Sequence, residues 1–307
     1  MKTIDGIVPV MLTPFTEQNG VDYPGLAKLI DWYIDKNVDA LFAVCQSSEM
    51  QFLSLEERVA VARFVVEHVQ GRIPVIASGH ISDDLNAQVE ELSAMAETGI
   101  DALVLVTNHL DPQKAGSDTF FANLNHLLDA LPKTLPLGLY ECPAPYRRLL
   151  SDEELTYCAN TGRFVVLKDV SCDLATVTRR VELVQGTPLN IINANAAIAF
   201  PAMKAGSRGF SGVFTNFHPE LYVWLYHHHQ ENPALADELA DFLSLAAVTE
   251  TLGYPKNAKV YHQRLGTFTS IQCRVNKDDV LEKHWGLTVI LDQIRHGTEH
   301  YQKKITR

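Results

Sequence analysis

Apolar runs of about five residues alternate along this chain with stretches of about fifteen in which apolar side chains recur every three or four positions, the periods of a buried strand and an amphipathic helix. The first run is Gly6-Ile-Val-Pro-Val-Met-Leu12, ended by Thr13-Pro14. Residues 23–36 then place Leu26, Leu29, Ile30 and Tyr33 on one helical face. The run at 40–44 is followed by a helix over 54–69, opened by Ser54-Leu-Glu-Glu57 as a capping box. A run at 74–77 leads to a helix over 85–98 stopped at Gly99, and a run at 102–106 to a helix over 118–131. The runs at 137–140, 165–168, 189–192 and 209–214 complete a set of eight, with helices after Ser151-Asp-Glu-Glu154, near 174–184 and over 197–205.

Strands and helices in strict alternation predict a parallel sheet. Eight units fit a closed (β/α)8 TIM barrel over residues 1–220. The other α/β arrangement, an open doubly wound sheet, would need a glycine-rich phosphate turn after the first strand, and Thr13-Pro-Phe-Thr-Glu17 is not one. From residue 221 to 307 the strand signal stops. Four helical stretches, 221–230, 233–251, 255–265 and 278–296, predict a C-terminal helical extension packed on the barrel as part of one structural unit.

With 307 residues, 46% of them hydrophobic, the chain can bury a large core. The net charge of −11 argues against nucleic acid or an anionic membrane as partner. The amino terminus lacks the apolar core of a signal peptide, and no apolar run reaches the roughly 18–20 residues that span a bilayer, so a cytoplasmic location is expected. Cysteines 45, 142, 158, 172 and 273 form no CxxC pair and read as reduced thiols, and no metal site is expected.

In a barrel of this kind chemistry is built at the C-terminal strand ends. Two runs end on reactive side chains there, Tyr140 and Lys168, and Lys168 is the only lysine at any such end. A lysine closing Phe164-Val-Val-Leu167 either snorkels to solvent or sits desolvated, which favours the neutral amine and lets it attack a ketone. A phenol one strand away, Tyr140, suits the proton transfers of such a reaction.

These residues bring the chain to a family. Gly6-Ile-Val-Pro-Val-Met-Leu-Thr-Pro-Phe15, Ser48-Glu49 with Leu53-Ser-Leu-Glu-Glu-Arg58, Tyr140-x-x-Pro143 and Leu167-Lys-Asp-x-Ser-x-Asp173 resemble the dihydrodipicolinate synthase/N-acetylneuraminate lyase superfamily of Schiff-base aldolases. The resemblance covers about residues 6–220, including the spacing of 28 residues from Tyr140 to Lys168. It implies Lys168 as the imine-forming lysine and Tyr140 as its acid/base, with no cofactor beyond that covalent imine. It also implies a homo-oligomer, dimer or tetramer, and a carboxylate-gripping loop at Cys45-Gln-Ser-Ser-Glu49. Gln46, Ser47 and Ser48 fall in that loop as substrate ligands, and Glu49 reads as structural, favoured by the dipole of the following helix.

Three departures concern the substrate. Gln46 stands where the family has a relay hydroxyl, Pro145 where the synthases have an arginine, and Leu110 where they have a relay tyrosine; lysine biosynthesis is therefore disfavoured. Ala196 and Ala197 replace the acidic pair that holds the sugar in the sialic-acid lyases. What is left is a pocket of Asn108, His109, Asn193, Asn195 and Ser211 with Phe214 and Phe217 as walls. Arg147 is expected to reach a distal anionic group, unless the Arg147-Arg148 pair is simply a solvated turn. The expected activity is a lyase, aldolase or dehydratase, on pyruvate or a related 2-oxo acid. The rivals are a non-catalytic ligand-binding descendant and a metal-dependent aldolase.

Overall fold

The structure is a computed structural model that describes residues 3–306, so Met1 and Lys2, where the reading of the amino terminus begins, lie outside the described residues. Eight parallel strands, β1 (Gly6–Ile7), β2 (Leu41–Phe42), β3 (Val75–Ala77), β4 (Ala102–Val106), β5 (Leu137–Tyr140), β6 (Phe164–Asp169), β7 (Asn190–Asn193) and β8 (Gly209–Phe210), run in the order β1-β8-β7-β6-β5-β4-β3-β2. A bridge between Val10 and Phe42 joins the two ends: Phe42 N–H donates to Pro9 O and Met11 N–H to Phe42 O. The barrel is thereby closed, as the alternation predicted. β1, β2, β3 and β8 are shorter than the apolar runs that predict them; in β1 Pro9, which has no N–H to donate, interrupts the ladder.

Closure brings β1 unusually near β8. A Cβ on Gly209, at φ +142°, would stand 1.9 Å from Gly6 O, so only glycine fits the seam.

Helices α1 (Tyr23–Asp35), α2 (Leu55–Val69), α3 (Leu85–Ala96), α4 (Ser117–Ala130), α5 (Asp152–Asn160), α6 (Leu174–Leu183), α7 (Ala199–Lys204) and α8 (Pro219–His228) alternate with the strands. Both predicted capping boxes form: Ser54 accepts from Glu57 N–H and Ser151 from Glu154 N–H. The helix expected over 197–205 is a 3-10 turn at Ala196–Ile198 followed by α7. Helix α8 packs against β1 as the eighth helix of the ring.

The tail adds α9 (Pro233–Ala246), a 3-10 turn (Ala247–Thr251), α10 (Lys256–Arg264), α11 (Val280–Lys283) and α12 (Leu287–Ile305). The single helix expected over 278–296 is thus two helices, broken at His284-Trp-Gly286 and continuing well past 296. No helix of the described residues is long and apolar enough to cross a membrane. The three consecutive histidines of α8 and its end are dispersed as their helical spacing requires, His227 onto Asp39, His228 onto Glu231 and His229 onto Leu225 O.

Candidate active site

Inside the barrel the β strands contribute a layer of apolar side chains, including Val8, Phe42, Ile76, Leu139, Val166 and Ile192, around a small cavity. Lys168 and Ser211 share its lining. Lys168 is β6's penultimate residue and is the register partner of Tyr140 on β5. The lysine is 8% exposed and the tyrosine 3%. The amine does not snorkel: its Nζ lies 4.4 Å from the centre of the Tyr140 ring and 5.6 Å from that of Phe42, with no carboxylate in ion-pair contact among the described residues. Burial pushes the Lys168 pKa down, against weaker upward pulls from Cys45, Cys142 and Glu250. Burial likewise pushes the Tyr140 phenol well above its usual range. Both groups are held towards their neutral forms by the same apolar surroundings.

Anchors behind the strands fix these two side chains. Glu141 and Asp169, the residues that follow them, both accept from the guanidinium of Arg180 on α6. Arg180 is itself 1% exposed. Glu141 also accepts from Leu150 N–H at 2.7 Å and Val170 N–H at 3.0 Å, and Asp169 from the Ser171 hydroxyl at 2.6 Å. With Ser171 N–H also donating to Asp169, seven hydrogen bonds from α6 and the loops after β5 and β6 satisfy the two carboxylates, a strong positional constraint.

Gln46, Ser47 and Ser48 form a 3-10 turn after β2. Gln46 Oε1 accepts from the Tyr140 hydroxyl at 3.4 Å and faces Cys142 Sγ at 3.6 Å. Ser48 is fully buried, its hydroxyl accepting from Cys45 N–H at 2.6 Å and donating to Cys45 O at 2.8 Å, so it closes the turn on itself. Ser47 is also buried, beside the Tyr254 phenol. Glu49, in the left-handed region at φ 60°, does not depend on a helix dipole. Its carboxylate is buried against Lys259 Nζ at 2.5 Å and accepts from Arg274 N–H at 2.6 Å and Val275 N–H at 2.8 Å. The tail therefore clamps the turn.

Several expected pocket groups are spent on structure. Asn108 donates to the carbonyls of Cys142, Ala144 and Tyr146, pinning the loop after β5. His109 is buried with Nδ1 on Asp83 and its ring edge-on to His80. Asn195 Oδ1 caps the turn at 196–198, while Asn193 donates to Asn195 O. Ser211 donates to Val8 O at 2.8 Å. Phe214 and Phe217 are stacked 4.6 Å apart in the core, Phe217 against Tyr261, and are not walls of an open pocket. Arg147 is exposed and donates to Val170 O at 3.2 Å, over the loop after β6. Arg148 departs from a solvated turn: it is buried between Asp111 and Glu154. No group of three His, Cys, Asp or Glu side chains able to hold a metal is found among the described residues, and all five cysteines are free thiols.

Two residues at the mouth come from the tail, beyond the reach of the barrel pattern. The turn Ala247–Thr251 packs on the turn Val213–Asn216 that follows β8. Tyr254 is thereby placed with its hydroxyl on Asn216 Nδ2 at 3.1 Å, and Asn216 Oδ1 in turn accepts from the Tyr33 hydroxyl at 2.5 Å. Glu250 is open to solvent, yet the surrounding protein raises its pKa against the pull of Lys168. The break in the helical pattern at Gly253-Tyr-Pro255 is the only trace of this in the sequence.

The model of the dihydrodipicolinate synthetase family matches residues 3–276. A 4-hydroxy-tetrahydrodipicolinate synthase from Clostridium perfringens is 31% identical over 215 residues, 70% of this chain and 72% of that one. The crystal structure of YagE, a prophage protein of the same family from E. coli K12 in complex with pyruvate, superposes with a TM-score of 0.85 at 24% identity, covering 95% of this chain and 99% of that one. The chloride-inhibited dihydrodipicolinate synthase from Acinetobacter baumannii, also complexed with pyruvate, gives 0.84 at 22% identity, covering 95% and 99%.

Proposed function

The chain belongs to the dihydrodipicolinate synthetase family, and from that premise we propose that it is a Schiff-base-forming lyase acting on pyruvate or a related 2-oxo acid. Lys168 is its nucleophile and Tyr140 its acid/base. The observation that carries this reading is the buried Lys168 amine, resting on the Tyr140 ring and free of any ion pair among the described residues. An amine so placed is biased towards its neutral, nucleophilic form, where a salt-bridged lysine would be held charged.

The Nζ lone pair adds to C2 of the 2-oxo acid while the carbonyl pair moves to oxygen. That oxygen takes the proton of the Tyr140 hydroxyl, and with a further proton leaves as water when the nitrogen pair closes the C=N bond. In cleavage, the C3–C4 pair flows into the iminium to give an enamine, and a C4 hydroxyl loses its proton to the Tyr140 phenolate as the aldehyde forms. The raised Tyr140 pKa suits this order: the phenol is an acid that, once it has given its proton, regains one readily. Gln46 Oε1 can orient the Tyr140 proton but cannot pass it on, so the proton leaves this pair by another route. Ser47 is the hydroxyl of the turn left to bind the substrate carboxylate.

Borohydride reduction in the presence of pyruvate tests the reading: a peptide containing Lys168 should gain the mass of the reduced adduct. No adduct on Lys168 across a panel of 2-oxo acids would remove the mechanism and favour a non-catalytic ligand-binding protein. The names of the curated relatives favour a second reading, 4-hydroxy-tetrahydrodipicolinate synthesis itself; the departures at Gln46, Leu110 and Pro145 weigh against it, and a product assay separates the two. A homo-oligomer, dimer or tetramer, belongs to the same proposal and is read by sedimentation.

A further inference from the structure

Gln46 stands where the family has a relay hydroxyl, and two donors hold its carboxamide at once. Its Oε1 accepts from the Tyr140 hydroxyl at 3.4 Å and from the Cys142 thiol at 3.6 Å. The phenol contact is long for an O–H···O bond and cannot by itself fix a flexible side chain. The thiol supplies the second point. Cys142 is fully buried, its carbonyl accepts from Asn108 Nδ2 at 2.9 Å, and it follows Glu141, which Arg180 anchors. Burial pushes the Cys142 pKa up, which keeps the S–H proton in place. A thiol sulfur is a weak acceptor, so it selects the oxygen end of the amide over the nitrogen end. Gln46 Nε2 has no hydrogen-bond partner among the described residues, yet it is not sealed from solvent, for Gln46 is only half-buried. A planar carboxamide with its oxygen turned inward onto Tyr140 presents its N–H groups outward, next to Ser47 in the same turn.

We propose that Cys142 is a positioning residue for substrate binding, which through Gln46 Oε1 aims the Gln46 N–H groups at the carboxylate of the bound 2-oxo acid. The inference rests on Lys168 being the imine-forming residue and adds a device to that same site. The carboxylate gains a charge-assisted hydrogen bond from a donor engaged by no other group. Without the thiol, the amide is free to turn over. Its N–H groups then meet the Tyr140 oxygen, and its carbonyl oxygen faces the negative charge of the substrate. The loss is double, because a donor goes and an acceptor confronts an anion.

The test needs no turnover. The rate of borohydride trapping on Lys168 is measured against pyruvate concentration in the wild type, Cys142→Ala, Cys142→Val, Cys142→Ser and Gln46→Leu. Alanine and valine bracket the cysteine in volume, so a packing defect in one is checked by the other. The half-saturating pyruvate concentration should rise roughly five- to tenfold in both, with a much smaller change in the maximal rate. Cys142→Ser, which keeps a donor, should restore most of the affinity. Gln46→Leu should show a similar rise, and Cys142→Ala added to it should change nothing further, a coupling that a purely structural thiol would not produce. Wild-type affinity in both Cys142→Ala and Cys142→Val, or an effect of Cys142→Ala that persists beside Gln46→Leu, would overturn this role and leave the lysine mechanism standing. Absence of any adduct in the wild type would overturn both.

Discussion

Glu141 and Arg180 meet in a two-bonded ion pair in which neither side chain is more than 2% exposed, and the guanidinium continues to Asp169. Since Glu141 follows Tyr140 and Asp169 follows Lys168, one arginine on α6 ties together the backbone behind both reactive groups. Arg180→Met would leave two carboxylates buried without their cation, at a cost of about 3–5 kcal/mol in urea or guanidinium unfolding. Residual folded protein should also trap pyruvate more slowly, because the strand ends lose their common anchor.

Lys168→Met should abolish trapping and lower turnover at least a thousandfold. It should also raise the melting temperature. A lysine whose folded pKa is depressed opposes folding while it is protonated in both states, and that penalty fades as pH rises through the folded pKa towards the unfolded value. Thermal unfolding at pH 7 and pH 10 checks the sign: the advantage of the methionine variant should shrink at the higher pH.

Tyr140→Phe keeps the ring under the amine and removes only the proton. Imine formation should slow by roughly a factor of 10²–10⁴. The adduct should still form on long incubation, which separates loss of acid/base function from loss of the nucleophile.

Three buried histidines make acid stability steep. Burial holds His80 and His218 at about 3 and, against the upward pull of the Asn216 carbonyl, His262 at about 4; the neighbouring His109 ring adds to the effect at His80. Each stays neutral in the folded protein while its unfolded counterpart takes up a proton below about 6.5. Stability is therefore lost as pH falls from about 6.5 towards 4, by up to about 1.4 kcal/mol per pH unit for each histidine. Denaturant titrations at pH 7, 6 and 5 read the slope, and His262→Gln should lessen it.

Breaking the Glu49–Lys259 pair tests the clamp on the substrate turn. Lys259→Met leaves Glu49 buried without its counter-ion and should cost about 3–5 kcal/mol. The double variant with Glu49→Gln should recover part of that loss, measured by chemical unfolding.

The barrel and its two central residues were legible because both depend on local pattern. The strand runs are continuous and apolar, and a lysine closing Phe164-Val-Val-Leu167 stands out in one dimension. Arg180 was not legible: in Thr178-Arg-Arg-Val181 a polar pair reads as a solvent face, and only the fold brings it under Glu141, 39 residues away. Pocket polarity misled for a related reason. Asn108, Asn195 and Ser48 have the chemistry of ligands, yet their hydrogen bonds are consumed by loops and caps whose needs no sequence pattern states. Tyr254 lies in a segment whose period announces only helices; its meeting with Asn216 is a tertiary fact.

The clamp of Lys259 and Arg274 on Glu49 has a practical consequence for anyone reshaping this protein. A minimal barrel cut after α8 would expose the turn at 46–48 and strand Glu49 in the core without Lys259 and the N–H groups of residues 274 and 275, so the piece that looks like a complete barrel would lack what holds this turn in place. Libraries that vary the turn at 46–48 should therefore keep Lys259 and residues 274–275 fixed, and hybrids made by exchanging carboxy-terminal segments should keep Glu49 and Lys259 from the same parent.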